Sequence, residues 1–187
     1  MFRATLLSSL LFAVPVAAQD VVDLREAKRL LFNAKGSEIL IQDRDFLTDL
    51  DRATLEQMPK LAELKYYGAL AAPPDTGLQS EATTGAFNYH DRASARRAAV
   101  EGCDAKRAGG ATCVIVAEIL PRRYRDGRAL TLNQDATAAL RGRDFQRAGP
   151  NGVLAASPST GAWGLGATPE AAVAACGADD CEAAVAN

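Results

Sequence analysis

Apolar positions recur at helical spacing near the start of the chain and in short continuous runs beyond it. Leu24, Ala27, Leu31 and Ala34 follow a 3.6-residue period, with Asp23 placed as N-cap and Gly36 past the end, which predicts an amphipathic helix over 23–35. Residues 38–42 read as a short apolar strand, and 45–64 turn helical again, with Pro59 either ending that helix or opening a second one. Residues 66–72 form a strand of small and aromatic residues, Pro73-Pro-Asp-Thr-Gly77 a turn, and 83–89 a return strand. Asp91 then caps a helix running to about Arg107, Gly109-Gly110 break it, and 112–120 is a buried strand. The order is β–β–α–β.

The same order recurs. Gly68-Ala-Leu-Ala-Ala-Pro-Pro-Asp-Thr-Gly77 matches Gly152-Val-Leu-Ala-Ala-Ser-Pro-Ser-Thr-Gly161 at seven of ten positions. Ala98-Ala-Val-Glu-Gly-Cys103 matches Ala171-Ala-Val-Ala-Ala-Cys176, and Cys113 and Cys181 each open the apolar run that follows. The second copy is a trimmed unit: strand 152–156, turn 157–161, return strand 162–165, a helix from Thr168 (N-cap) and Pro169 (first position) to Cys176, and a last strand from about Asp180. Between the copies lies a polar stretch, Pro121-Arg-Arg-Tyr-Arg-Asp-Gly-Arg128, then a short strand at 129–132 and a helix from Asn133 to about Phe145. The predicted fold class is α+β: two pseudo-repeated β-β-α-β units with shared strands, helices packed on a mostly antiparallel sheet, preceded by a helical N-terminal segment. The divisions are 1–18, 19–65, repeat unit 1 at 66–120, the Arg-rich connector at 121–149, and repeat unit 2 at 150–187.

Composition adds a compartment. Met1-Phe-Arg3, an apolar stretch from Leu6 to Val14 and the small-residue pattern Val16-Ala-Ala18 predict a signal peptide cleaved after residue 18. No later stretch is long and apolar enough to be a transmembrane segment. Cleavage removes only Arg3 among charged residues, leaving 20 basic against 23 acidic side chains, a bias that argues against nucleic-acid binding. Four cysteines in an exported chain predict two disulfides. Of the three connectivities, the repeat selects Cys103–Cys113 and Cys176–Cys181, each closing a helix-to-strand corner. A zinc site is disfavoured, since neither pair has C-x-x-C spacing.

The stretch Ala155-Ala-Ser-Pro-Ser-Thr-Gly-Ala-Trp-Gly164, a helix ending in Cys176, and Asp179-Asp-Cys181 before a last strand resemble the domain-of-unknown-function family 4189, a group of small exported proteins. The resemblance covers 152–187 clearly and 67–118 more weakly; it implies the fold unit and export, and no activity. In the first copy Asn88-Tyr89-His90 replaces the aromatic-glycine return and Leu78–Glu81 lengthens the turn, so the two copies differ in role. The whole chain is also similar to short exported alphaproteobacterial proteins labelled aminolevulinate synthase. That chemistry needs a pyridoxal-phosphate lysine inside a much larger fold, and no lysine here has such a setting. No cofactor is expected.

Candidate chemistry is sparse. His90 is the sole histidine, standing at a strand end before a helix; it serves either as a general base, with Asp91 or Glu81 as partner and Ser80 or Ser94 as nucleophile, or as a packing and capping residue. Asp43, Asp45, Asp49 and Asp51 lack the spacing and glycine of a calcium loop, so no metal is expected. Arg122, Arg123, Arg125 and Arg128, with Tyr124 among them, form the best pointer: guanidinium forks suit carboxylates and phosphates, and Arg141, Arg143 and Arg147 follow in the same connector. Trp163 packs in a hairpin or stacks on a ligand. The expectation is a periplasmic or secreted, non-enzymatic binding module for an envelope protein or anionic envelope component. The alternatives are a small periplasmic hydrolase using His90 and a secreted effector or inhibitor.

Overall fold

The computed structural model describes residues 21–187, so the expected leader at 1–18 lies outside the described residues. β1 (Val22–Asp23) runs straight into α1 (Leu24–Leu30), which starts where expected because the Asp23 carboxylate accepts from the Arg25 and Glu26 amides. It stops a turn and more before Gly36. At Leu31 the backbone becomes extended, which sends Leu31 into one core and Phe32 into another, a divergence a continued helix does not allow. β2 (Ser37–Ile41) follows, then α2 (Asp49–Leu61), nucleated by a reciprocal capping box between Thr48 and Asp51 and running on through Pro59.

The first unit is β3 (Gly68–Ala72), β4 (Thr84–Ala86), α3 (Arg92–Asp104) and β5 (Val114–Pro121). The connector carries α4 (Gln134–Arg141) and α5 (Arg143–Arg147), and the second unit is β6 (Val153–Ala156), β7 (Trp163–Gly166), α6 (Pro169–Cys176) and β8 (Glu182–Ala186). The chain is α+β, with helices packed on two four-stranded sheets, β2-β5-β3-β4 and β1-β8-β6-β7. The units share no strand, contrary to the single sheet expected. The N-terminal segment divides between them: β2 pairs antiparallel with β5 and β1 parallel with β8, which closes that edge of each sheet to the other unit, while β4 and β7 form the opposite edges. The connector also differs from expectation. Residues 129–132 join no sheet and instead bury Leu130 and Leu132, and the helix over 133–145 breaks at Gly142, where the backbone is extended.

Small residues set the layer spacing. All five residues of β3 and all four of β6 are buried, because each sheet is covered on both faces. Ala69 and Ala71 face Ala95, Ala99 and Cys103 of α3, while Leu70 and Ala72 face Leu47, Leu55 and Leu78 on the α2 side. In the second unit Val153 and Ala155 face Ala172 and Cys176 of α6; Leu154 and Val185 face Ala27, Leu140 and Phe145. The approach of α6 to β7 is close enough to require glycine, since a Cβ on Gly164 would lie 2.3 Å from the Cys176 amide nitrogen. The disulfides are Cys103–Cys113 and Cys176–Cys181, with Cα separations of 6.0 and 6.2 Å. Each ties the last turn of a helix to the residue just before the next strand.

Candidate functional site

Both units carry a β-bulge at the same place. The register between β3 and β5 shifts between Leu70 and Ala71, leaving Val116 as the extra residue, and the register between β6 and β8 shifts between Leu154 and Ala155, leaving Ala184. An extra residue resets the in–out alternation of a strand. Ile115 is opposite Ala71 and Glu118 opposite Ala69, so both face α3, although three residues apart. The bulge therefore aims a carboxylate into the helix-covered face of the first unit.

There Glu118 is fully buried and fully met. Arg92 donates to it through Nε (2.5 Å) and Nη2 (2.9 Å), Arg96 one turn later through Nη1 (2.6 Å), and Gln42 through Nε2 (3.0 Å). Both arginines keep about a third of their side chains in solvent, 31% and 38%. The hydrogen bonds of Arg92 to Glu118, more than any other influence, raise its pKa. The second unit has nothing of the kind. Aligned on the bulge, Glu118 falls on Ala186; aligned on the helix-terminal cysteine, Arg96 falls on Pro169, and Arg92 lies in an additional first turn that α6 lacks.

Above the arginines opens a broad, open cleft of about 740 Å³, lined also by Tyr124, Arg128, Gln42 and Thr131, with the buried Tyr67 at its base. Tyr124 packs edge-on against Tyr67 (centroids 5.9 Å apart) and tilted on Phe32 (5.5 Å), and its hydroxyl donates to Asp126 at 2.5 Å. Burial first, then that carboxylate, pushes the Tyr124 pKa up to about 12, so the phenol stays a donor. Arg128 stacks on Phe32 at 3.8 Å and donates to the Leu30 carbonyl. Arg141 donates to the Lys28 and Leu31 carbonyls, so two connector arginines hold the C-terminal end of α1.

Of the connector residues predicted to bind, Tyr124 and Arg128 line this cleft. Arg122 lies over Gly36 in a separate cleft of about 570 Å³ with Glu38 and Lys65, while Arg123 and Arg125 are exposed and line neither. Arg143 is exposed and Arg147 pairs with Asp144. Sequence reasoning missed Arg92, Arg96, Tyr67 and Glu118. One signal was present: Glu118 is the single charge in the apolar run Val114-Ile-Val-Ala-Glu-Ile-Leu120, and Arg92 and Arg96 are spaced to share a helix face.

His90 is elsewhere, in the seam between the units. It is 4% exposed, its Nε2 donates to the Ala162 carbonyl (2.8 Å), and its Nδ1 accepts from the Asn133 amide (3.2 Å). Both ring nitrogens are committed, and burial lowers its pKa despite the opposing pull of the Ala162 bond and Asp91, so the ring is neutral with no lone pair to offer as a base. Asp91 caps α3, accepting from the amide and hydroxyl of Ser94 (both 2.8 Å). Glu81 is exposed in the turn between β3 and β4, beside Lys106 in another cleft. The structure does not bring the three together. Asn133 completes the seam: its Nδ2 donates to the Asn88 carbonyl (2.8 Å) and the Gly161 carbonyl (2.9 Å), and its Oδ1 caps α4 through the Ala136 amide (2.7 Å).

Among the described residues no three His, Cys, Asp or Glu side chains converge as a metal site, and no helix is long and apolar enough to cross a membrane. Comparison with protein-family models, with curated proteins and with solved structures yields no match.

Proposed function

We propose that this chain is an exported, disulfide-closed binding module of the cell envelope, and that the arginine- and tyrosine-walled cleft of the first unit receives an anionic envelope component. One observation carries the reading: the Glu118–Arg92–Arg96 cluster stands in one unit where the other, with the same topology and the same bulge, has Ala186 and Pro169. Buried ion clusters are poor sources of stability compared with apolar packing of equal volume. A cluster confined to one of two like units, with guanidinium edges turned to a solvent-filled cleft, fits recognition better than folding. The two disulfides suit an oxidising compartment. The family-4189 resemblance of residues 152–187 belongs to the same reading and adds export without an activity.

The experiment is a pull-down from periplasm and membranes with the mature wild-type chain and with Arg96→Gln, which leaves Glu118 its two Arg92 bonds and Gln42. The expected result is a specific envelope component held by wild type and lost by the variant at unchanged melting temperature. A component retained equally by both removes the cleft from the reading.

A further inference from the structure

The inner carboxylate at Arg92 is locked; a second, outer one is not. Asp126 lies at the tip of the connector with its side chain 74% exposed, yet it is turned inward: Oδ1 accepts from the Tyr124 hydroxyl at 2.5 Å, and Oδ2 stands 3.6 Å from Arg92 Nη1. That separation is well beyond the 2.7–2.9 Å of a charge-assisted hydrogen bond. Arg92 Nη1 is the edge of that guanidinium not given to Glu118, and Arg96 commits only Nη1 to Glu118. The cleft thus has outward-facing guanidinium donors beside an exposed carboxylate of the chain's own, which one tyrosine hydroxyl holds and which makes no hydrogen bond to Arg92.

We infer that the cleft recognises a carboxylate, and that Asp126 is an intramolecular stand-in for it which the ligand displaces. The inference rests on the binding role proposed above and names its chemistry. Charge count favours a carboxylate over a phosphoryl group: Arg92, Arg96 and Arg128 face Asp91, Glu118 and Asp126, a formal balance of zero. A monoanion that replaces Asp126 preserves the balance, whereas a dianion leaves an excess negative charge against the buried Glu118 and half-buried Asp91. Tyr124 supplies a hydroxyl donor that Asp126 vacates, and its half-buried ring supplies apolar surface for the body of the ligand, with the buried Tyr67 ring behind it.

The test is an NMR titration of the mature chain with acetyl-dialanine, its C-terminal amide and inorganic phosphate, using wild type, Asp126→Asn and Arg96→Gln. The acid is expected to move the resonances of residues 91–96 and 124–128, including the Asp126 carboxylate carbon, while the amide does not. Asp126→Asn should bind the acid about two- to fivefold more tightly, the share an exposed ion pair can withhold, and Arg96→Gln should lose most of the binding. Equal affinity of wild type and Asp126→Asn, or an unmoved Asp126 carboxylate, overturns the stand-in and leaves the binding role intact. Phosphate bound in preference to the acid overturns the carboxylate assignment. No probe bound at all, with a partner still captured in an Arg96-dependent way, overturns the inference alone; failure of both experiments takes the proposed function with it.

Discussion

The Glu118 cluster makes a prediction about stability that bears directly on its purpose. Replacing both arginines, as Arg92→Met with Arg96→Met, leaves Glu118 fully buried with only Gln42 to meet it. Stranding a buried charge costs about 3–5 kcal/mol. The opposite half-deletion, Glu118→Leu, leaves two guanidiniums that are 31% and 38% exposed and can turn to water. Its cost should be about 1–2 kcal/mol, the loss of charged hydrogen bonds with rehydration available. Combining all three substitutions reproduces the apolar character of the second unit, where Val173 and Ala186 pack against the core, and should recover to within about 1 kcal/mol of wild type or exceed it. Guanidinium chloride unfolding followed by circular dichroism, with both disulfides intact, gives the three values. The expected order is double arginine variant least stable, Glu118→Leu intermediate, triple variant near wild type. A triple variant less stable than either half-deletion means that the cluster is there to hold the fold, and the reason for assigning it a binding role is gone.

Acid should open the seam before it touches the carboxylates. His90 is held neutral by burial, so its folded pKa lies below the unfolded 6.5; the unfolded chain takes up the proton first, and stability falls as pH drops below about 6.5 until His90 itself protonates, with a slope of at most about 1.4 kcal/mol per pH unit. Asp51, Asp104 and Asp180, whose pKa values are lowered, lose their contribution only in the lower range where unfolded carboxylates titrate. Melting temperatures between pH 7 and 5 should therefore decline in wild type and stay flatter in His90→Gln; parallel curves contradict the assignment. The paired turn glycines should respond differently to substitution. Gly77 has φ +76° and open space around it, so Gly77→Asn should cost less than about 1 kcal/mol, asparagine tolerating that region. At Gly161 a Cβ would lie 2.2 Å from the Asn88 carbonyl oxygen, so Gly161→Asn should destabilise by about 2–3 kcal/mol and speed hydrogen exchange at Asn133 and Ala162; equal tolerance at the two sites would refute the close-approach reading.

Much of the local structure was legible along the chain, because it depends on neighbours a few residues away. Asp23, Asp91, Asn133 and Thr168 cap helices at their own amides, and Pro169 opens α6. The β–β–α–β order of each unit and the disulfide at each helix-to-strand corner likewise follow from short-range pattern. The same repeat was uninformative about the glycines it contains: Gly77 answers a backbone angle, and Gly161 answers a carbonyl from the other unit. The candidate binding residues of the connector are brought together only in part, for a comparable reason. Arg128 and Tyr124 look like neighbours of Arg123 and Arg125 on paper, but only the former pair meets Phe32 and Tyr67, which arrive from segments far away in sequence.

Two facts belonged to tertiary structure alone. One is that the units keep separate sheets, each edged on one side by a strand of the N-terminal segment, since an edge strand's hydrogen-bonding groups are generic and accept whichever strand reaches them. The other is the cleft. A glutamate in an apolar strand is an anomaly that sequence can flag, but its face is set by a one-residue bulge whose position depends on pairing with β3, and its partners by the helix laid across that face. Periodicity carries the local elements; which charges come to face one another is decided by register and docking, and those are properties of the whole packed chain.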